Sequence, residues 1–344
     1  MDDRDTGAVY HVDMTASLAP LTETELNHAR TTIGAIERAV ASRVVGQERL
    51  RESMLVGLLT GGHILLESLP GLAKTTAAEA LAGAIDGSFK RIQCTPDLLP
   101  SDLIGSQVYE ANSGEFTTRL GPVHANFVLL DEVNRSSAKT QSAMLEAMQE
   151  RQTSIGGERY PLPKPFLVIA TQNPIEQEGT YVLSEAQLDR FMLKDVLDYP
   201  SPRDEAEILH RIDTGVFAET IDSVCDTAGI LKLQELTKRV YIDPAITEYI
   251  VSLTYVSRHA DKYLSPELAG VLQVGASPRA SINLSTGARA VALIQGRNHV
   301  VPEDVRHLAH RVLRHRLLLG FEAGAKNIRP ETLIDAMIAA VRTP

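Results

Sequence analysis

Short apolar runs recur along the N-terminal part of the chain: HILLE from His63, FKRIQC from Phe89, FVLLDE from Phe127, FLVIAT from Phe166 and KDVLDY from Lys194. Most are nearly continuous rather than alternating, and helix-like segments separate several of them. Strands apolar on both faces and alternating with helices predict a parallel sheet covered on both sides. One such run alone would fit a buried helix segment equally well. Five of them with turn signals between argue for a five-stranded α/β core.

Other stretches fill in the organisation. PLTETELNHARTTIGAIERAV predicts a first helix, with Thr22 and Glu25 at capping-box spacing. VVGQERLRESMLVGLL predicts a loop and a second helix. SQVYEANSGEFTTRL and RQTSIGGERYPL each place turn residues between β-prone arms and predict two hairpins. Beyond Tyr199 the strand-like runs stop, and helical segments opened by Pro, Ser or Thr predict an all-α region. The expected domains are a disordered acidic tail over 1–20, an α/β core with two hairpin insertions over 21–199, and a helical domain over 200–344.

Composition narrows the function classes. A chain of 344 residues with 44% hydrophobic residues can bury a large core. The start lacks an apolar signal-peptide core, and no run is long and apolar enough to span a bilayer. Two cysteines, Cys94 and Cys225, rule against a disulfide scaffold and fit a reducing cytosol. A net charge of −10 disfavours nonspecific nucleic-acid binding.

The chemistry begins at LLESLPGLAKTTAAEAL, Leu65 to Leu81. A phosphate loop sits between a strand and a helix, so that backbone N–H groups and the helix N-terminus face the anion. That context is present around Pro70, Gly71, Leu72, Ala73, Lys74, Thr75 and Thr76, although Ser68 and Ala73 stand where the pattern G-x-x-x-x-G-K-[ST] has glycines. Ala73 is expected to be tolerated if its φ is negative. Lys74 would neutralise phosphate charge and Thr75 would ligate Mg²⁺. FVLLDE then delivers Asp131 and Glu132 to the C-terminal edge of a sheet, where ligands of open α/β folds bind. Asp131 would hold Mg²⁺ through water, and Glu132 would polarise the attacking water. FLVIATQNP ends a third apolar strand at Asn173, whose amide can hydrogen-bond both a phosphate oxygen and a water.

Together these stretches resemble the AAA+ ATPases and, within them, the MoxR family. VVGQ, PGLAKTT, DLLPSDLIG, LLDEVNRSSAKTQSAMLEAMQE, ATQNPIEQEGTYVLSEAQLDRFML and GASPRASI carry the resemblance over Val44 to Ile282. It implies an AAA+ P-loop core, a helical lid, ATP and Mg²⁺. It also implies that Val44, Val45 and Gly46 line an adenine pocket, Asn173 is sensor 1, Arg190 an arginine finger reaching a neighbouring subunit, and Arg279 sensor 2. The hairpins match the helix-2 and pre-sensor-1 insertions. A homo-oligomeric ring, commonly a hexamer, a protein client and a partner with a von Willebrand factor A domain are implied as well. Whether Arg279 serves its own subunit's nucleotide or its neighbour's stays open. For Arg135, a contact with a neighbouring subunit and a local ion pair stand level.

Weaker signals fall to ordinary structure. The His- and Arg-rich segment Arg306 to Arg316 lacks a carboxylate or cysteine to complete a metal set and reads first as a solvated face. Met144, Leu145 and Met148 read as helix core, and Cys94 as inert packing. The leading function is ATP-driven remodelling of proteins. A nucleotide-gated scaffold with little turnover and a chelatase-like or nucleic-acid motor are the alternatives, the last disfavoured by charge.

Overall fold

The computed structural model describes residues 19–69, 71–112, 114–174, 180–218 and 221–344. The predicted tail lies outside the described residues up to position 18, as does Pro70 of the phosphate loop. The tail's last two residues are anchored: the carbonyls of Ala19 and Pro20 accept from Arg239 at 2.9 and 3.0 Å.

Helix α1 (Glu23–Arg43) starts on the predicted capping box. Thr22 Oγ1 accepts from the Glu25 amide at 3.2 Å, and the Glu25 carboxylate accepts from the Thr22 amide at 3.0 Å. Its buried stripe is Ala29, Ile33, Ile36 and Val40, the spacing of one helical face. Helix α2 (Glu48–Thr60) is buried along most of its length and stops at Gly61, whose φ of +66° closes the last turn.

The core then runs β1 (Ile64–Ser68), α3 (Lys74–Ala84), β2 (Phe89–Gln93), α4 (Pro100–Ile104), β3 (Gly105–Glu110), β4 (Glu115–Leu120), β5 (Phe127–Asp131), α5 (Ala138–Glu150), β6 (Gln152–Ile155), β7 (Glu158–Pro161), β8 (Leu167–Gln172), α6 (Glu185–Leu188) and β9 (Leu193–Leu197). Five strands make one parallel sheet in the order β2-β5-β8-β1-β9, all five at the predicted apolar runs. Alternate residues feed opposite layers. Leu66, Leu129 and Ile169 pack with α1 and α2, while Leu65, Val128, Leu130 and Val168 pack with Met144, Leu145 and Met148 of α5. The pairs β3–β4 and β6–β7 are antiparallel hairpins, as the turn residues predict. Asp102 accepts from the Leu99 amide at 2.9 Å and caps α4.

After Leu197 the described chain is mainly helical: α7 (Pro202–Asp213), α8 (Thr227–Arg239), α9 (Pro244–Arg258), α10 (Ala260–Tyr263), α11 (Pro266–Ala269), α12 (Pro278–Ile294), α13 (Pro302–Leu313), α14 (Phe321–Ala325) and α15 (Pro330–Ala340). It is not purely so, because β10 (Leu272–Val274) and β11 (Leu318–Leu319) pair antiparallel. These runs are too short to show a strand period. Ile33, Leu50 and Leu58 share one apolar cluster with Leu233, Leu284 and Leu308, so the helical region packs directly onto α1 and α2.

The segment Arg306 to Arg316 is not a solvated face throughout. Arg311 and Arg316 are buried, and Arg311 pairs with Glu52 at 2.8 Å, which also meets His307. No described helix is long and apolar enough to cross a membrane.

Candidate functional site

Parallel strands end together, and this sheet gathers its polar residues at one edge. Ser68 closes β1, Asp131 closes β5, Gln172 closes β8 just before Asn173, and Gln93 lies in register with Asp131. Helix α3 begins at Lys74 against this edge and turns its free amide end toward it. The result is a cavity of about 420 Å³ lined by Gly71, Leu72, Ala73, Lys74, Thr75, Thr76, Asp131, Glu132 and Asn173, with Ser68, Arg91 and Gln93.

The loop differs from expectation at Ala73. Its φ is +56°, left-handed, and not negative. The turn into α3 demands that conformation, and a Cβ there is strained where glycine is not. Gly71 has φ +84° with open space where a Cβ would stand. Ser68 Oγ is buried and has no hydrogen-bond partner among the described residues.

Charge is balanced within the cavity. Burial pulls the Lys74 ammonium below the usual lysine range, while Asp131 and Glu132 oppose the shift. Lys74 Nζ donates to the Leu69 carbonyl at 3.4 Å. Asp131 is held from two sides: Thr171 Oγ1 donates to Oδ1 at 2.8 Å, and Arg91 meets Oδ2 at 2.6 Å. Glu132 has φ +55° and accepts from Arg135 at 3.0 Å and Gln93 at 3.3 Å. For Arg135 the local ion pair is therefore present. Among the described residues no cluster of three or more His, Cys, Asp or Glu could cage a metal. Thr75 and Asp131 fit instead a cation that keeps waters and takes its other oxygens from phosphate.

A second cavity, of about 790 Å³, adjoins the first through Gly71, Ala73 and Thr76. Val45 of the VVG segment lines it together with Ala80, Ile208, Phe217, Ile221, Arg43 and Glu79. Val44 does not; it is buried in the core beneath. Gly46 has φ +70°, and a Cβ there would meet the Asp204 carboxyl carbon of α7 at 2.6 Å. Arg43 donates to the Phe217 carbonyl, and Arg211 donates to the carbonyls of Ala41 and Ser42 at 3.2 and 3.0 Å, tying α7 to the end of α1.

The two predicted arginines stand outside both cavities. Arg190 follows α6 and lines a separate cavity with Glu146, Glu150 and Arg159. Arg279, in the first turn of α12, meets Asp189 at 3.6 Å.

Comparison with known proteins accords with this architecture. Residues 63–193 match the ATPase family associated with various cellular activities (AAA), and residues 269–337 match the AAA lid domain. The chain is 47% identical over 315 residues to Chaperone MoxR1 of Mycobacterium tuberculosis, covering 91% of this chain and 83% of that protein. It belongs to the MoxR family of AAA+ ATPases. This MoxR-family chain is also 31% identical over 325 residues to Protein MoxR of Paracoccus denitrificans, covering 90% and 95% of the two chains. The crystal structure of a candidate ATPase from Cytophaga hutchinsonii superposes with a TM-score of 0.88 at 43% identity, covering 94% of this chain and 98% of the other. Membership makes this a nucleotide-binding fold.

Sequence reasoning missed Arg91, Gln93, Thr171, Ile208 and Phe217. Arg91 and Gln93 are two apart in FKRIQ, so they share a face of an edge strand. Polar residues at that period were the available signal.

Proposed function

We propose that this MoxR-family protein hydrolyses ATP with Mg²⁺ at the seams of a homo-oligomeric ring and uses the cycle to remodel other proteins. One observation carries the reading: Lys74 with Thr75, Asp131 with Glu132, and Asn173, from three separate stretches of the chain, line one cavity beside a second, more apolar one. The pair fits a triphosphate and a base in size and polarity.

Lys74 and the α3 amides take the phosphates. The Ser68 hydroxyl, without a partner among the described residues, and the open loop at Gly71 leave room for them. Thr75 and Asp131 hold Mg²⁺, which supplies charge neutralisation on the phosphates. Asn173 orients the attacking water, and Glu132 accepts its proton once released from Arg135 and Gln93. Val45, Ile208 and Phe217 cover the base. Arg190 and Arg279 serve the neighbouring subunit's ATP; in favour of this, both stand apart from their own chain's cavity and are joined through Asp189. Movement of the helical domain, over 200–344, against the core over 21–199 carries the cycle to a client held at the hairpins β3–β4 and β6–β7. The hexameric count and a partner with a von Willebrand factor A domain rest on the family resemblance. The unpaired cysteines fit a cytoplasmic setting.

The test is phosphate release by purified protein against a Glu132→Gln variant. Turnover should be lost in the variant while ATP binding is kept. Equal release by the two proteins would end the reading. The same variant, loaded with ATP, should retain client protein that the parent releases.

A further inference from the structure

The segment that bears Arg190 is gripped by the helical region through one buried guanidinium. Arg316 follows α13, and its side chain is 1% exposed. Its Nε donates to Asp189 Oδ1 at 2.8 Å. Nη2 donates to the carbonyls of Asp189 at 3.2 Å and Phe191 at 2.6 Å, and Nη1 to that of Met192 at 3.4 Å. The residues on both sides of Arg190 are thus tied to a single rigid fork. Asp189 is also held from α12. Ser277 Oγ donates to Oδ1 and Oδ2 at 3.0 and 2.9 Å, and Arg279 meets Oδ2 at 3.6 Å.

We infer that Asp189 and Arg316 are positioning residues that fix Arg190 and Arg279 as one unit, so that both arginines enter the neighbouring subunit's site together. The inference rests on the reading above, in which those arginines act across a seam. Neither Asp189 nor Arg316 touches the cavity that holds the chain's own phosphates. Their loss should therefore spare nucleotide binding and impair turnover. A carboxylate facing two guanidiniums and a serine hydroxyl sets where each can point. A misplacement of about 1 Å in a catalytic group costs on the order of 10²-fold in rate.

The experiment compares the full chain with Asp189→Asn and, because Arg316 would then lose a buried ion-pair partner, also with Ser277→Ala, which leaves the charges in place. Nucleotide affinity is read with a fluorescent ATP analogue and Mg²⁺, turnover by phosphate release. Expected are a parental Kd and KM with kcat reduced by about 10- to 100-fold in Asp189→Asn and by less in Ser277→Ala. Should Asp189→Asn fail to fold, the same split between KM and kcat in Ser277→Ala carries the test. Mixing decides the direction. Asp189→Asn subunits keep a nucleotide site, and Lys74→Ala subunits keep well-placed arginines, so the mixture should exceed either variant alone. Parental kcat in both substituted chains, a parallel loss of affinity, or no recovery on mixing overturns the inference. Arg190→Ala separates the two levels. Normal turnover in that variant removes the underlying reading and this inference with it. Impaired turnover in Arg190→Ala beside normal turnover in the Asp189 and Ser277 variants removes the inference alone.

Discussion

Thr171 Oγ1 donates to Asp131 Oδ1 across neighbouring strands at 2.8 Å, and the same hydroxyl accepts from the Glu132 amide at 2.8 Å. One fully buried hydroxyl thereby orients both members of the acidic pair. Glu132 itself takes a left-handed turn, φ +55°, directly after β5, so the chain changes direction just beyond the amide that Thr171 holds. Thr171→Val keeps the shape and removes both bonds. A buried amide and a carboxylate oxygen lose their partner, at a cost of about 1–3 kcal/mol. Urea unfolding should show that loss. Phosphate release should fall by about 10-fold or more, the usual scale for a residue that orients a ligand-bearing carboxylate. Parental turnover in the variant would contradict the role.

How much of this was legible follows from which physical signals are local. The five strands could be read because burial on both faces leaves a continuous apolar run, and Asp131 and Asn173 stand where such runs end. Parallel strands finish at one edge, so their convergence with Lys74 was a consequence of topology. Arg91 was hidden because its meeting with Asp131 depends on β2–β5 register, which one chain does not display. Arg316 was read as a solvated arginine, since no spacing rule shows that the backbone of Asp189 to Met192 curls around it. Ala73 was mistaken in conformation because residue size says little about φ.

Ala73 offers a direct gain-of-stability test. At φ +56° a non-glycine residue bears strain of about 1–2 kcal/mol. Ala73→Gly relieves it but adds freedom to the unfolded chain, so the net gain should be smaller, below about 1 kcal/mol. Denaturant midpoints of parent and variant measure it. Nucleotide affinity should stay level or rise, since the phosphate-facing amides keep their direction. A destabilised variant would show that the left-handed turn is not strained.

The larger cavity makes a prediction about affinity without chemistry. Ile208 of α7 lines it beside Phe217, and α7 has no fully buried residue, so a polar substitution there should not unfold the protein. Ile208→Glu places a carboxylate where an apolar base would stack and should weaken ATP binding by about 10-fold, roughly the 1.4 kcal/mol of a tenfold change. Saturated turnover should be nearly parental. Titration with a fluorescent ATP analogue measures the first and phosphate release at high ATP the second. A fall in turnover with unchanged affinity would place the base elsewhere.

His63 gives the chain a defined acid sensitivity. Its ring is fully buried; Nδ1 accepts from the Val168 amide at 3.0 Å, which leaves Nε2–H to donate to the Met148 carbonyl at 3.2 Å. The Nδ1 bond needs the neutral ring, whereas the Nε2–H bond to Met148 favours the charged one and only partly offsets burial. Burial, with nearby Arg151, pushes its pKa from 6.5 down to about 3. Between those values the unfolded chain binds more protons than the folded one, so stability rises with pH across that window and declines as pH falls through it. The slope from this group approaches about 1.4 kcal/mol per pH unit once the unfolded imidazole is protonated. His315 is lowered in the same direction by its own burial. His63→Gln removes one titrating group and keeps an acceptor for Val168, so it isolates the His63 share. Unfolding free energies between pH 6.5 and 5, where carboxylates remain ionised, should fall less steeply in the variant than in the parent. Parallel slopes would mean that the ring is accessible to protons in the folded chain.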